Sequence, residues 1–89
     1  MEVSGKILVI GQTETVGSNN FTKRQLVVET NEQYSQRIPI DFVKDKVSML
    51  DGKSIGQEVT VSINIRGNEH NGKYFANIQG WKIEVKNDY

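Results

Sequence analysis

Residues 59–85 read VTVSINIRGNEHNGKYFANIQGWKIEV, two β-rich segments on either side of the pair Asn71-Gly72. The first segment alternates apolar and polar side chains, which predicts a strand with one buried face. Asn-Gly is the strongest short signal for a hairpin turn, because both residues tolerate positive φ. We therefore predict a strand from 59 to 66, a loop over 67–71 and a final strand from 73 to about 85.

The final predicted strand changes phase at Gly80. Its apolar residues occupy even positions first and odd positions afterwards: Tyr74, Ala76 and Ile78, then Trp81, Ile83 and Val85. A glycine at such a switch is typical of a β-bulge or a sharp bend. We expect the strand to bend there and to present different side chains to the core on the two sides of the bend.

Three more strands and one helix are expected before this hairpin. Strand 1 spans 3–10, a polar loop follows over 12–20, strand 2 spans 21–30, and strand 3 covers the alternating residues Ile38, Ile40 and Phe42. We interpret Phe42 as a core residue because it continues the apolar face of this strand. Residues 43–50 form the candidate helix, since Val43, Val47 and Leu50 share one face.

This element order predicts an all-β, five-stranded Greek-key barrel of the oligonucleotide-binding (OB) type, with one short helix between strands 3 and 4. A single domain over 1–86 accounts for the chain, and 87–89 form a short C-terminal end. An SH3-like barrel is the nearest competitor, but the helix position and the long loop after strand 1 disfavour it. Pro39 cannot donate to a sheet ladder, so strand 3 should border an incompletely closed edge.

The composition excludes several classes of site. The 89 residues contain no cysteine, which excludes disulfides, zinc–thiolate sites and cysteine nucleophiles. There are 11 basic and 11 acidic residues, so any nucleic-acid contact must come from a local basic face rather than from bulk charge. The longest apolar run is 7–10 and no signal peptide is recognised, so we expect a cytoplasmic protein without a membrane partner.

Several short pieces of the sequence, in order along the chain, resemble a known family. They are 1–7 (MEVSGKI), 23–30 (KRQLVVET), 33–34 (QY), Phe42 with 45–46 (DK), 56–61 (GQEVTV), 71–75 (NGKYF) and 81–84 (WKIE). Together they are similar to short bacterial and phage OB-fold proteins, described as a domain of unknown function and related to single-stranded-DNA-binding proteins. The resemblance spans nearly the whole chain and implies the same barrel, and none of its pieces is a catalytic signature.

An OB barrel binds its strand across strands 2 and 3, flanked by the loops that join strands 1 and 2 and strands 4 and 5. Single-strand binding needs cations near the phosphates and aromatic rings on which bases stack. The candidate binding residues in these elements are Phe21, Lys23, Arg24, Tyr34, Arg37, Arg66, His70, Lys73, Tyr74, Phe75 and Trp81.

Some of these residues have a structural role as their alternative. Adjacent strand residues point to opposite faces, so one of Tyr74 and Phe75 should be core and the other exposed. Trp81 either caps the barrel at the surface or is buried where Gly80 shifts the phase. Arg24 shares the phase of the core-facing residues of strand 2, which also suits a position at the barrel rim. Three lysines near the helix are interpreted as solvated surface: Lys44, Lys46 and Lys53.

The sequence favours a non-catalytic, sequence-tolerant single-stranded-DNA-binding protein acting in replication or recombination, with RNA left open as the nucleic acid. The alternative is a protein-interaction or assembly module with no nucleic-acid role, since the fold supports both. No catalytic, cofactor or metal site is expected, because the serines lie in no nucleophile motif and His70 is the only histidine. A small barrel gains stability by association, so we expect a homo-oligomer, either a dimer or a tetramer.

Overall fold

The computed structural model describes residues 1–17 and 21–86. In these ranges the chain forms six strands and one 3₁₀ helix: β1 (Glu2–Ile10), β2 (Glu14–Val16), β3 (Phe21–Thr30), β4 (Arg37–Val43), the 3₁₀ helix (Lys44–Leu50), β5 (Glu58–His70) and β6 (Lys73–Val85). Predicted strands 1 to 5 correspond to β1, β3, β4, β5 and β6. No helix within these described ranges has the length and apolar character needed to cross a membrane.

Five of the strands close into a ring, in which β1 is paired along both of its edges. It runs antiparallel to β3 on one side and to β5 on the other, while β3 also pairs with β4 and β5 with β6. Within the described residues a single parallel pair, Asp41 with Gln79, joins β4 to β6. The predicted OB fold is confirmed. Pro39 lies in β4, at this weakly paired edge, where a missing donor is tolerated.

The core is formed by the inward faces of the main strands and by one residue of the 3₁₀ helix. Its buried members are Ile7, Leu26, Val28, Ile40, Phe42, Leu50, Val59, Val61 and Ile63. The predicted core position of Phe42 is therefore confirmed. The helix starts at Lys44 rather than at Val43, and Leu50 is the residue it buries in the core.

The phase change at Gly80 corresponds to a β-bulge in β6, as predicted. Ser62 pairs with Lys82 and the next residue, Ile63, pairs with Gly80, so Trp81 is the extra residue of β6. A Cβ atom at Gly80 would lie 2.5 Å from Cζ of Phe42. Only glycine lets the β6 backbone approach the Phe42 ring this closely. The bend therefore lies at the position predicted from the sequence.

Two loop predictions are wrong, because strand pairing extends further than the polar composition suggests. The predicted loop 12–20 contains β2, whose three residues pair with the start of β3. The predicted loop 67–71 is mostly strand, since pairing continues up to His70 with Lys73. Asn71 and Gly72 both have positive φ, 53° and 77°, so a two-residue turn joins the strands directly and no longer loop is needed.

Beyond Ile63 the β5–β6 hairpin leaves the barrel as an arm, defined here as residues 64–79. Almost all of its side chains are exposed on both faces, and the protein measures 48 Å along its longest axis but 28 Å along the next. The prediction that one of Tyr74 and Phe75 is core is therefore wrong, as they are 79% and 54% exposed. The physical reason is that none of the residues 1–17 and 21–86 forms a second layer against the arm.

Candidate nucleic-acid interface

A groove opens where the arm leaves the barrel, between the start of β3, the end of β4 and both strands of the hairpin. Its volume is about 300 Å³, and it is lined by Phe21, Val43, Lys44, Lys46, Asn64, Arg66, Gln79, Gly80 and Trp81. This arm groove contains three cationic side chains and two aromatic rings, and none of its described lining residues is acidic. Cations and stacking rings side by side are the two components that single-strand binding requires.

Phe21 and Lys44 are neighbours in the lining of the arm groove. Phe21 is the first residue of β3, and the ammonium of Lys44 lies 6.0 Å from the centre of its ring, within range of a cation–π interaction. Lys44 has a φ of 57°, a left-handed conformation that costs a residue with a Cβ about 1–2 kcal/mol. Backbone strain of this kind is concentrated at functional sites, and here it occurs at the lysine that lies beside the ring.

Trp81 is the second aromatic residue that lines the arm groove. As the extra residue of the β6 bulge it is released from regular alternation, and a bulge commonly redirects a side chain in this way. Its side chain is 44% exposed and lines the arm groove. Of the two positions left open by the sequence, the structure therefore shows the exposed one.

The side chains of the arm form two chemically different faces. Directly paired residues of antiparallel strands share a face, and successive pairs alternate between the two faces. The basic face consists of the pairs Asn64–Gln79, Arg66–Asn77, Asn68–Phe75 and His70–Lys73. The apolar face consists of the pairs Ile65–Ile78, Gly67–Ala76 and Glu69–Tyr74. The basic face is continuous with the arm groove, since Asn64, Arg66 and Gln79 belong to both.

A second, smaller hollow of about 170 Å³ lies on the outer surface of β3 and β4, lined by Gly11, Gln12, Glu14, Lys23, Gln25 and Asp41. This outer hollow adjoins the arm groove, because Lys23 pairs with Val43 and Asp41 pairs with Gln79 across the boundary. Lys23 shares the hollow with two carboxylates. Its attraction for phosphate is therefore weaker than that of the groove cations.

The structure brings together only part of the predicted site. Phe21, Arg66 and Trp81 meet in the arm groove. His70, Lys73 and Phe75 lie further out on the basic face, whereas Tyr74 is on the apolar face. The remaining candidates, Lys23, Arg24, Tyr34 and Arg37, lie outside both regions.

The guanidinium group of Arg24 is engaged by other residues of the protein. Its Nε donates to the carbonyl oxygen of Gly11 at 2.8 Å, and its Nη1 lies 2.9 Å from Oδ1 of Asp51. These contacts tie the end of β1 to the end of the 3₁₀ helix. Arg37 lies at the other end of β4 from Val43 and forms an ion pair with Glu29 at 3.5 Å, and Tyr34 is in the loop just before it.

Comparison with known proteins identifies the family. Residues 2–84 match the family described as a domain of unknown function, DUF3127. The chain belongs to the DUF3127 family. This confirms the resemblance found in the sequence, and no curated protein sequence matches the chain.

Solved structures with the same fold as this DUF3127 domain include single-stranded-DNA-binding proteins and a PriB protein. The SSB domain of a Synechococcus sp. protein has a TM-score of 0.73 at 13% identity, covering 93% of this chain and 90% of its own. The dimeric N-terminal domain of PriB from Thermoanaerobacter tencongensis has a TM-score of 0.71 at 13% identity, covering 99% and 96%. The second SSB of Mycobacterium smegmatis has a TM-score of 0.68 at 13% identity, covering 97% and 84%.

Sequence reasoning missed four polar groove residues of the DUF3127 domain: Lys44, Lys46, Asn64 and Gln79. The two lysines follow β4 and the two amides lie in the hairpin, so only the contact between β4 and β6 brings them together. No local pattern signals this. Lys82, next to Trp81, is not among the groove residues. It donates a hydrogen bond to Glu84, and this bond and the negative charge of Glu84 both raise the pKa of Lys82.

Proposed function

We propose that this DUF3127 domain is a non-catalytic, sequence-tolerant single-stranded-DNA-binding protein. The strand lies in the arm groove, continues along the basic face of the arm and crosses the outer surface of β3 and β4. The observation that carries the proposal is the arm groove itself, with its three cations and two rings. The Mycobacterium smegmatis protein, whose structure shares the fold, is described as a single-stranded-DNA-binding protein, which supports the same ligand here.

The net charge of zero does not oppose this proposal, because the ion pairs of the described residues involve cations outside the arm groove. Within residues 1–17 and 21–86, the ion pairs engage Arg24, Arg37 and Lys82. None of them engages Lys44, Lys46 or Arg66, so the groove cations remain available to phosphates. Each base stacked on an aromatic ring adds about 1–3 kcal/mol, so few phosphate contacts are needed. We place the activity in replication or recombination, in the cytoplasm.

The first test is a titration of the protein with oligo-dT at low and moderate salt, following the emission of Trp81. We expect quenching as bases stack on the indole. With three groove cations contacting phosphate, log K should fall against log salt with a slope of about −2, since each phosphate contact on a single strand contributes about −0.7. A folded sample that binds no oligonucleotide at low salt contradicts the proposal.

The apolar face of the arm favours association of the protein with itself. Ile65 and Tyr74 are exposed there beside Ala76 and Ile78, and Glu69 is the one charged residue of the face. Such a face can pair with itself across a two-fold axis, because a two-fold interface uses the same surface patch on both copies and here that patch is apolar. We propose that a second copy covers this face in a dimer or tetramer, as the description of the PriB domain as dimeric supports.

Ile65→Glu should convert the oligomer to a monomer, because a carboxylate would be buried between two apolar faces. Sedimentation without nucleic acid measures this, with Asn68→Glu on the basic face as the matched control that keeps the oligomer. A wild-type protein that sediments as a monomer contradicts the association. An oligomer that binds no oligonucleotide favours the second candidate function, an assembly module without nucleic-acid binding.

A further inference from the structure

Three polar side chains form one row across the strands where the barrel closes. Gln25 of β3 pairs with Asp41 of β4, and Asp41 pairs in turn with Gln79 of β6. Side chains alternate along a strand, and the neighbours Leu26, Phe42 and Gly80 are buried. The row therefore points outward, with its members about 5 Å apart from strand to strand.

This polar row lies between the two hollows of the proposed binding surface. Gln25 and Asp41 line the outer hollow, and Gln79 lines the arm groove. The adjacent residues along the strands are Lys23 with its partner Val43. A nucleic-acid strand that enters the arm groove from the outer hollow must cross the row.

Asp41 is an unexpected residue in such a place. A carboxylate accepts hydrogen bonds and donates none, and it repels phosphate. Among residues 1–17 and 21–86 its side chain takes part in no ion pair or hydrogen bond, and it is half-buried. Its acceptors are therefore free for N–H donors from a ligand, and the donors that a nucleic acid can offer there are those of its bases.

We infer that the polar row reads the edge of one base and prefers an amine-bearing base, which among pyrimidines is cytosine. The inference rests on the proposed single-strand binding. The cytosine edge presents an amine donor followed by two acceptors, and a carboxylate accepts from this amine. The amide NH₂ group of the glutamine on one side of Asp41, either Gln25 or Gln79, donates to the acceptor next to the amine. Uracil and thymine place a carbonyl oxygen where the amine stands, so two acceptors would face each other.

The test compares oligo-dC with oligo-dU of equal length, at mildly alkaline pH where cytosine is neutral. These polymers have the same backbone and nearly equal stacking surface, and they differ in the base edge. The wild-type protein should bind oligo-dC about five- to ten-fold more tightly, the lower part of the range for a good base contact. Asp41→Asn should reduce the ratio to within about two-fold, because an amide presents either a donor or an acceptor to the base.

Asp45→Asn is the matched control, since it removes the same charge from the neighbouring 3₁₀ helix and not from the row. It should strengthen binding of both polymers equally and leave their ratio unchanged. Equal binding of oligo-dC and oligo-dU by the wild-type protein overturns base reading while leaving single-strand binding intact. Binding of neither polymer overturns the proposed function itself. A ratio that survives in a folded Asp41→Asn variant shows that another residue reads the base.

Discussion

Replacing Trp81 by alanine is expected to weaken binding of single-stranded DNA by about ten- to a hundred-fold, the loss that follows when one stacking ring is removed. The indole is 44% exposed and lines the arm groove together with Phe21 and Lys44. Trp81 is not a member of the buried core, so the barrel should survive the substitution. The variant lacks tryptophan, so its affinity is measured by the anisotropy of a labelled oligonucleotide.

Tyr34→Ala is the control for this experiment. Tyr34 is also aromatic and 78% exposed, but it lies in the loop between β3 and β4, at the opposite end of these strands from the arm groove. Its removal should change the affinity by less than about two-fold, because a surface substitution away from the site removes no stacking partner. A strong loss with Tyr34→Ala and none with Trp81→Ala would instead place the strand near Tyr34 and Arg37.

The fold was predictable because its signals are local. Alternation of apolar residues marks each main strand, Asn71-Gly72 marks the hairpin, and Gly80 marks the bend. The extent of the strands was less predictable. Composition at 67–70 is that of a loop, but the tight turn at Asn71 keeps the two strands in register, and backbone hydrogen bonding then extends the ladder regardless of the side chains.

The site was predictable from the sequence only for residues whose type alone indicates a role in binding. Aromatic residues beside basic ones indicated Phe21, Arg66 and Trp81, and the structure brings these together. The conformation of Lys44 has no signature in the sequence, because a left-handed φ at a lysine is imposed by the surrounding structure. Arg37 has the right chemistry, but its pairing with Glu29 depends on strand register. Roles for these residues in binding stay predictions until the variants are measured.

Gly5→Ala should be the most destabilising of the substitutions considered. Gly5 pairs with Thr30 of β3 and with Val59 of β5, so its backbone is held from both sides. A Cβ atom there would overlap the carbonyl oxygen of Glu29 and lie 2.7 Å from its carbonyl carbon. The clash is with backbone, so relief requires β1 and β3 to separate. We expect a loss of about 3 kcal/mol in the free energy of unfolding, at the upper end for overpacking.

Gly67→Ala provides the comparison, because the same methyl group is added in the arm, where the nearest atom is the carbonyl oxygen of Phe75 at 4.0 Å. Its stability should be unchanged or slightly higher, since alanine loses less backbone entropy on folding. Urea unfolding measures both variants. Small domains are stable by only about 5–15 kcal/mol, so a loss of this size should be plain in the Gly5→Ala midpoint. If the two midpoints coincide, β1 and β3 separate at little cost, and the barrel is held closed elsewhere.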